Sequence, residues 1–216
     1  MKISICILTH NRPDLFNRSI NSVLKSPCDY EYEIIVNNDS RDIQEVFCDS
    51  CDIKYMYQSH DDLSHLYSLV YNEARGEYVF FLEDDDYILP EFFSVLSFNQ
   101  DINFLPYISI PHIQEVGIAA ATKRQKLNDH LIGESDYDKF IESLHVEYFQ
   151  LSQLVFRRCK LDSFPRGNNI NNDLVLFQSF RSPSSINHIN RPLWVQTADG
   201  KDNISFKEYN RDERFN

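Results

Sequence analysis

The chain has 216 residues, of which 42% are hydrophobic, with 16 Phe and 12 Tyr. That apolar content supports a folded core and excludes global disorder. The net charge of −12 disfavours a strongly basic nucleic-acid surface, and the presence of only five glycines disfavours a glycine-rich phosphate loop.

In chain order, the first ninety residues alternate between strand and helix signals. Short apolar runs predict strands over residues 3–8, 33–36, 53–57 and 78–82. Helical periodicity follows Pro13, recurs over residues 61–75 with Gly76 as the C-terminal stop, and follows Pro90 as far as Leu96. This order predicts an α/β fold, in which a mainly parallel sheet carries helices on both faces.

Beyond residue 100 the pattern is weaker. Apolar runs predict strands over residues 107–110, 116–121 and 154–156, and one or two strands within 186–195. Helices are predicted over 138–146 and 173–180. The segment 123–136 is polar, and residues 205–216 are charged and predict a flexible tail.

The sequence shows no pattern typical of a signal peptide, a membrane span or a disulfide framework. The N-terminal apolar run is too short for a signal peptide, and no segment has the ~20 apolar residues of a membrane span, so we expect a cytoplasmic protein without a span. The five cysteines are scattered, and Cys48–Cys51 is a single CxxC pair. Reduced thiols are therefore favoured over a disulfide framework or a zinc site.

Three polar turns follow predicted strands, at residues 9–11, 37–40 and 84–86. Ligands of open α/β sheets bind at the carboxyl ends of the strands, where these turns are expected to meet. The third turn is part of Glu83–Asp86, whose adjacent like charges repel one another unless a cation neutralises them. A divalent ion prefers carboxylate and diphosphate oxygens, and it stabilises charge on a departing diphosphate. The alternative is a solvated acidic turn.

Several segments resemble family-two glycosyltransferases, which are inverting enzymes of GT-A fold. Residues 3–12 (ISICILTHNR) look like the opening strand and turn of that family, and residues 33–40 (EIIVNNDS) like its second strand and acidic turn. Residues 74–86 (ARGEYVFFLEDDD), followed by Pro90, resemble the segment that ends in its metal-binding DXD-type motif. Residues 154–158 (LVFRR) and 172–174 (NDL) look like the acceptor-side strand and the acidic pair that supplies the base.

The resemblance implies a Rossmann-related, GT-A-like mixed sheet and a nucleotide-sugar donor. Residues 1–100 would bind the nucleotide sugar, and residues 101–204 would form an acceptor-side part. The implied nucleotide-binding residues are Thr9, His10, Asn11, Arg12, Asn38, Asp39, Asp84 and Asp85. Asp85 and Asp86 would ligate Mn²⁺ or Mg²⁺, and Asp173 would be the catalytic base. Asp173 also suits the simpler role of a helix N-cap.

The sequence departs from the family at four places. His10 stands where Tyr is usual, and Asn37 and Asn38 stand where adjacent aspartates are usual. Tyr67 and Ser68 lie near the places of an Arg-Asn pair often found in the helix over residues 61–75, and Asn172 stands where an acid is usual. An amide can accept a hydrogen bond from a base N–H, as an aspartate does, but it can also donate one. The two asparagines therefore leave open whether the base is uracil.

Other polar and aromatic residues have weaker expectations. His60 and His65 are expected in surface or capping roles. Residues 123–126 could form a basic lid or a solvated loop. Trp194 could line an acceptor site. Phe92 and Phe93 are expected in the core.

The expected function is a metal-dependent inverting glycosyltransferase, with a UDP-sugar as the favoured donor. The acceptor hydroxyl could belong to a glycan, a small molecule or a hydroxymethylated nucleobase in DNA. Two alternatives stay open. A nucleotidyltransferase would need a glycine-rich basic loop after the first strand, which is missing, and a non-catalytic module would bind a nucleotide or sugar without turnover.

Overall fold

The computed structural model describes residues 2–60, 62–109, 151–164, 179–180 and 185–197. In chain order its strands and longer helices are β1 (Lys2–Thr9), α1 (Pro13–Lys25), β2 (Glu31–Asn38), β3 (Asp52–Met56), α2 (Leu63–Glu73), β4 (Tyr78–Glu83), β5 (Tyr87–Ile88), β6 (Ile102–Phe104), β7 (Tyr107–Ser109), β8 (Leu154–Arg157), β9 (Ile186–His188) and β10 (Trp194–Gln196).

Most strands form a seven-stranded sheet in the order β3-β2-β1-β4-β8-β6-β9. The four strands β3, β2, β1 and β4 are parallel. Strand β8 lies antiparallel between β4 and β6, and β9 is parallel to β6. The predicted mixed, mainly parallel α/β sheet is therefore confirmed.

The central strands are apolar throughout because helices cover both faces of the sheet. Alternate residues of β1, such as Ile5 and Ile7, share a buried cluster with Phe16 and Ile20 of α1. Cys6 points to the other face, where its cluster includes Val70 of α2. The two faces thus each bury one stripe of an amphipathic helix.

A second sheet of three strands lies beside the first, in the order β5-β10-β7. Strand β10 is antiparallel to β5 and parallel to β7. Strand β5 begins directly after the acidic run Glu83–Asp86, so its pairing with β10 fixes the chain on the C-terminal side of that run. The sequence predicted up to two strands in 186–195 but gave no sign of β5 or of this pairing.

Gly76 has a different role from the predicted helix stop. Helix α2 ends at Glu73, and its C-cap is Ala74 with an ordinary φ of −64°. A Cβ atom on Gly76 would lie 2.5 Å from the backbone nitrogen of Ser4. The glycine is required there because the chain passes directly against β1.

The predicted helix from Pro90 to Leu96 is wrong. Only a 3-10 turn forms, at Phe93–Val95. Its backbone bonding joins residues three apart, as in Ser94 N–H to the Glu91 carbonyl at 3.1 Å. The turn places Phe92 and Phe93 in the core, as expected.

Trp194 also departs from its prediction, because it is fully buried and stacks on Tyr107 with ring centroids 4.8 Å apart. It therefore packs in the core rather than lining an acceptor site. His60 does take a capping role, since its Nδ1 accepts from the Asp62 N–H at 2.9 Å just before α2. All five cysteines are free thiols.

Among the described residues, no helix has both the length and the apolar character needed to cross a bilayer. The expectations for residues 116–121, 123–136, 138–146 and 205–216 lie outside the described part of the chain.

Candidate functional site

Strand register brings the three polar turns to one edge of the sheet. Thr9, the last residue of β1, pairs with Asn38, the last residue of β2. On the other side of β1, Leu8 pairs with Glu83, the last residue of β4. The three strands therefore end side by side, as their parallel order requires.

The first two turns are joined by hydrogen bonds. His10 Nδ1 lies 2.5 Å from Asp39 Oδ1, and the Asn11 N–H donates to Ser40 Oγ at 2.9 Å. Asn11 adopts a φ of 53°, in the left-handed region that asparagine tolerates better than most residues. The two loops thus form one connected surface, from which the exposed His10 ring projects.

The adjacent asparagines of the second turn differ in their hydrogen bonding. The Asn37 side chain forms two hydrogen bonds with the backbone of Gln58: it donates to the Gln58 carbonyl at 2.9 Å and accepts from the Gln58 N–H at 3.0 Å. Asn38 is completely buried, and one end of its amide contacts Ser40 Oγ at 2.7 Å. The other end has no hydrogen-bond partner among the described residues. Asn38 therefore retains a buried polar atom for a ligand.

The third turn gathers three carboxylates. One oxygen each from Glu83, Asp85 and Asp86 lies within 4.8 Å of the others. Asp85 and Asp86 are 3% and 0% exposed. Asp86 Oδ1 accepts from the Thr197 N–H at 2.9 Å, while Asp86 Oδ2 is buried without a partner among the described residues. Three carboxylates in this space are a suitable donor set for a hard divalent cation.

Asp84 has a separate partner. Arg12 Nη1 donates to Asp84 Oδ1 at 3.1 Å and lies 3.6 Å from Asp85 Oδ2. Both side chains are largely buried. The guanidinium thus links the first turn to the third and offsets part of the negative charge there.

Burial controls the ionisation of these carboxyls. It raises the pKa of Asp84, although the nearby Arg12 charge acts in the opposite direction. Burial and the charge of Asp84 raise the pKa of Asp85 to about 6. Burial and the charges of Glu83 and Asp85 raise the pKa of Asp86 well above its usual range. A bound divalent cation would oppose these shifts, because it favours the charged carboxylates.

The structure thus gathers all the site residues predicted in the first half of the chain. It pairs Arg12 with the acidic run, and it adds Glu83, which the sequence offered as part of that run but without a role. Three further contacts to the run, from Arg18, Ser19 and Thr197, had no sequence signal, because Arg18 and Ser19 lie in the middle of α1 and Thr197 follows β10. The predicted base, Asp173, lies outside the described residues.

The first half of the chain matches a known protein family. Residues 4–104 match the family model described as Glycosyl transferase family 2. No curated protein sequence matches the chain significantly. The family match covers the strands and turns that build the site.

Among solved structures, the chain is similar to S. aureus TarS 1–349 in complex with UDP-GlcNAc, with a TM-score of 0.71 and 17% identity over 95% of this chain and 61% of that one. It is also similar to the mannosyltransferase PcManGT from Pyrobaculum calidifontis in complex with GDP-Man and Mn²⁺, with a TM-score of 0.56 and 11% identity over 97% and 60%. The chain thus spans about three fifths of the length of these structures.

The structural likenesses establish the fold. Together with the family match they confirm the expected resemblance to family-two glycosyltransferases of GT-A fold, a family of enzymes.

Proposed function

We propose that the protein transfers a sugar from a nucleotide diphosphate donor to an acceptor hydroxyl with a divalent cation. The match of residues 4–104 to the glycosyl transferase family 2 model and the similarity to GT-A structures support this proposal. The observation that carries the proposal is the carboxylate cluster of Glu83, Asp85 and Asp86 at the strand ends beside Thr9 and Asn38. Donor phosphates in such folds occupy this edge of the sheet.

The described residues fit Mn²⁺ or Mg²⁺. Asp85 and Asp86 are the proposed ligands together with Glu83, and the buried, unpartnered Asp86 Oδ2 is an acceptor that a cation would satisfy. A divalent cation held there would neutralise the negative charge that develops on the leaving diphosphate. Arg12, already paired with Asp84, keeps that neighbouring carboxyl oriented toward the donor side.

Nucleobase recognition is assigned to Asn38. Ser40 Oγ contacts both the Asn38 amide and the Asp42 carboxylate. A hydroxyl has one proton and a carboxylate only accepts, so Ser40 donates to Asp42. The structure places Asn38 Oδ1, rather than Nδ2, 2.7 Å from Ser40 Oγ. Two oxygens with no proton between them cannot hydrogen-bond, so we assign the amide the opposite orientation, in which its NH₂ group donates to Ser40. The Asn38 carbonyl oxygen is left for the ligand.

A buried carbonyl oxygen selects a base with a ring N–H, such as uracil or guanine, and disfavours cytosine, whose corresponding ring nitrogen is an acceptor. TarS, the neighbour with the higher TM-score, holds UDP-GlcNAc, whereas PcManGT holds GDP-Man. We therefore assign a UDP-sugar as the donor. Thr9 and Asp39, on either side of Asn38, are assigned to the nucleoside, and the exposed His10 ring to the face of the base.

Asp173 is assigned the role of general base. An alcohol is a weak nucleophile at neutral pH, and a positioned carboxylate can accept its proton while the oxygen attacks the anomeric carbon. A single displacement opposite the leaving diphosphate inverts that carbon. The net charge of −12 favours a glycan or small-molecule acceptor over DNA with a hydroxymethylated base, because binding to polyphosphate gains from Lys and Arg clusters.

Metal-dependent release of nucleotide tests this function. Purified protein is incubated with UDP-, GDP- and CDP-sugars in the presence of Mn²⁺ or EDTA, and free nucleotide diphosphate is measured. We expect slow hydrolysis of a UDP-sugar with Mn²⁺, and its loss with EDTA. A parallel thermal-shift screen should show stabilisation by UDP with Mn²⁺. If no nucleotide stabilised the protein or released its sugar, the proposed function would be wrong.

A further inference from the structure

Two residues from distant parts of the chain converge on the peptide bond between Asp85 and Asp86. Arg18, from the middle of α1, donates through Nη2 to the Asp85 carbonyl at 2.5 Å. Thr197, directly after β10, donates its hydroxyl to the same carbonyl. Arg18 Nη2 also donates to Thr197 Oγ1 at 2.7 Å. The protons are accounted for: Nη2 supplies two, the hydroxyl supplies one, and the carbonyl oxygen accepts two bonds.

Thr197 makes a second contact, through its backbone. Its N–H donates to Asp86 Oδ1 at 2.9 Å, across 111 positions of sequence. The antiparallel register explains this placement. Val195 pairs with Tyr87, so two residues further along β10 the chain lies opposite Asp85. One residue thereby holds both the main chain and a side chain of the acidic run.

Arg18 is also fixed from its other side. Its guanidinium carbon lies 5.4 Å from the ring centroid of Tyr87, the residue that follows the acidic run. Ser22, one turn further along α1, accepts from the Ile88 N–H at 3.0 Å and so tethers the same helix to β5 without touching the run. A third link runs from Ser19 Oγ to the Glu83 carbonyl at 3.3 Å. Of these three links within the described part of the chain, the Arg18 link is the one that reaches Asp85.

We propose that Thr197 and Arg18 are positioning residues that set the geometry of the metal-binding carboxylates. This inference rests on the proposed function and extends it to residues outside the ligand set. The three bonds to the Asp85 carbonyl and the Asp86 carboxylate fix the peptide between the two ligands, so that Asp86 presents its free Oδ2 together with Asp85 and Glu83. Partners that orient metal ligands change metal affinity by about 10–100-fold when they are removed.

The experiment measures the affinity of the full chain for Mn²⁺ alone, from the electron paramagnetic resonance signal of free aqueous Mn²⁺. Thr197→Val keeps the shape and the N–H but removes the hydroxyl, and Arg18→Met removes the guanidinium. We expect each to raise the Mn²⁺ Kd about tenfold. The double variant should be little worse than either single one, because both act on the same carbonyl.

Two controls separate positioning from folding. Thr197→Ser restores a hydroxyl and should bring the Kd back to within about twofold of the wild type. Ser22→Ala removes the other tether between α1 and β5, and it should lower the Tm without changing the Kd. An unchanged Kd in both Thr197→Val and Arg18→Met, whatever their Tm, would overturn the positioning role. If the wild type itself bound no Mn²⁺, the error would lie in the metal site of the proposed function.

Discussion

Buried carboxylates at the two ends of the same parallel sheet differ in how completely hydrogen bonds and ion pairs compensate their charge. Near its amino end, Glu33 of β2 is 2% exposed and accepts from Ser4 Oγ at 2.6 Å. It also accepts from the Arg75 backbone N–H at 2.7 Å, and from Arg75 Nε and Nη2 at 2.9 and 2.7 Å. At the carboxyl end, Glu83 and three aspartates crowd together. Among the described residues, Arg12 forms ion pairs with Asp84 and Asp85, and the Arg18 guanidinium donates to the Asp85 carbonyl.

The degree to which a buried carboxylate is compensated by its neighbours distinguishes a structural acid from a functional one in this fold. Glu33 has a positive partner and a donor for each oxygen, so its burial is compensated within the chain. The acidic run holds more negative charge than its partners offset, and the raised pKa values of Asp84, Asp85 and Asp86 reflect that imbalance. Under the proposed function, a cation from solution would compensate this imbalance.

The sharpest test of this contrast is loss of a ligand at the carboxyl end. Asp85→Asn keeps the size of the side chain but removes a charged metal ligand. We expect kcat/KM for a UDP-sugar to fall by about 10³-fold, because the cation no longer neutralises the leaving diphosphate fully. Asp14→Asn, an exposed acid in the first turn of α1, is the matched control and should retain activity. Equal kcat/KM in Asp85→Asn and Asp14→Asn would contradict a functional role for the carboxylates at the carboxyl end of the sheet.

The second test is the corresponding change at the amino end. In Glu33→Gln the amide oxygen can still accept from Ser4 Oγ and the Arg75 backbone N–H, but an NH₂ group replaces the charged oxygen that accepts from Arg75 Nε and Nη2. We expect the free energy of unfolding to fall by about 2–4 kcal/mol, as measured by urea denaturation. The Mn²⁺ Kd should stay at the wild-type value. A variant that lost Mn²⁺ binding without losing stability would show that this end of the sheet also serves the ligand.

The third test varies pH, and the expected effect of rising pH has opposite signs without and with Mn²⁺. The pKa of Asp85 is raised from its ordinary value of 3.8 to about 6, so between these values the folded chain keeps a proton that the unfolded chain loses. The metal-free protein should therefore lose about 1–3 kcal/mol of stability as pH rises from 4 to 7. Asp85→Asn should flatten this loss and be the more stable protein at pH 7 without metal.

Added Mn²⁺ should act the other way, since it binds the ionised carboxylates: its stabilising effect should grow as pH rises through about 6. Thermal unfolding across this pH range, with and without Mn²⁺, measures both effects. A wild-type protein whose metal-free stability rose steadily from pH 4 to 7, in parallel with Asp85→Asn, would contradict the uncompensated charge.

The smallest expected effect separates the neighbouring asparagines of the second turn. Asn38→Ala should reduce the preference for UDP over CDP by about five- to tenfold, the value of one hydrogen bond to a buried acceptor. Asn37→Ala should leave that preference unchanged and lower the Tm, because Asn37 bonds only the Gln58 backbone among the described residues. Isothermal titration with the two nucleotides in the presence of Mn²⁺ measures the ratio. A larger change of preference in Asn37→Ala would reverse the assignment.

Local pattern was sufficient to predict the first four strands and the two helices between them, because their apolar residues repeat at the spacing of buried strands and amphipathic helices. It also predicted the meeting of the three turns, since parallel strands end at one edge. The predictions failed where a distant contact decides the structure. Gly76 is required by β1 rather than by its own helix, and Trp194 is buried by its stacking on Tyr107.

The candidate site divides in the same way. Thr9, Asn38 and the aspartates directly follow strands, so their position is encoded locally. Thr197 reaches the acidic run only through the pairing of β10 with β5, a pairing between two short strands more than a hundred residues apart. A two-residue strand such as β5 carries no periodicity from which that register could be inferred. Asp173 stays a prediction.

The most direct test of the central claim is the position of a metal in crystals grown with Mn²⁺ and UDP, located by anomalous diffraction at the manganese edge. The account predicts a peak in contact with Asp85 and Asp86, with Glu83 beside it and the UDP diphosphate completing the coordination. Bound UDP with no manganese peak at these carboxylates, or with a peak held by other residues, would contradict it.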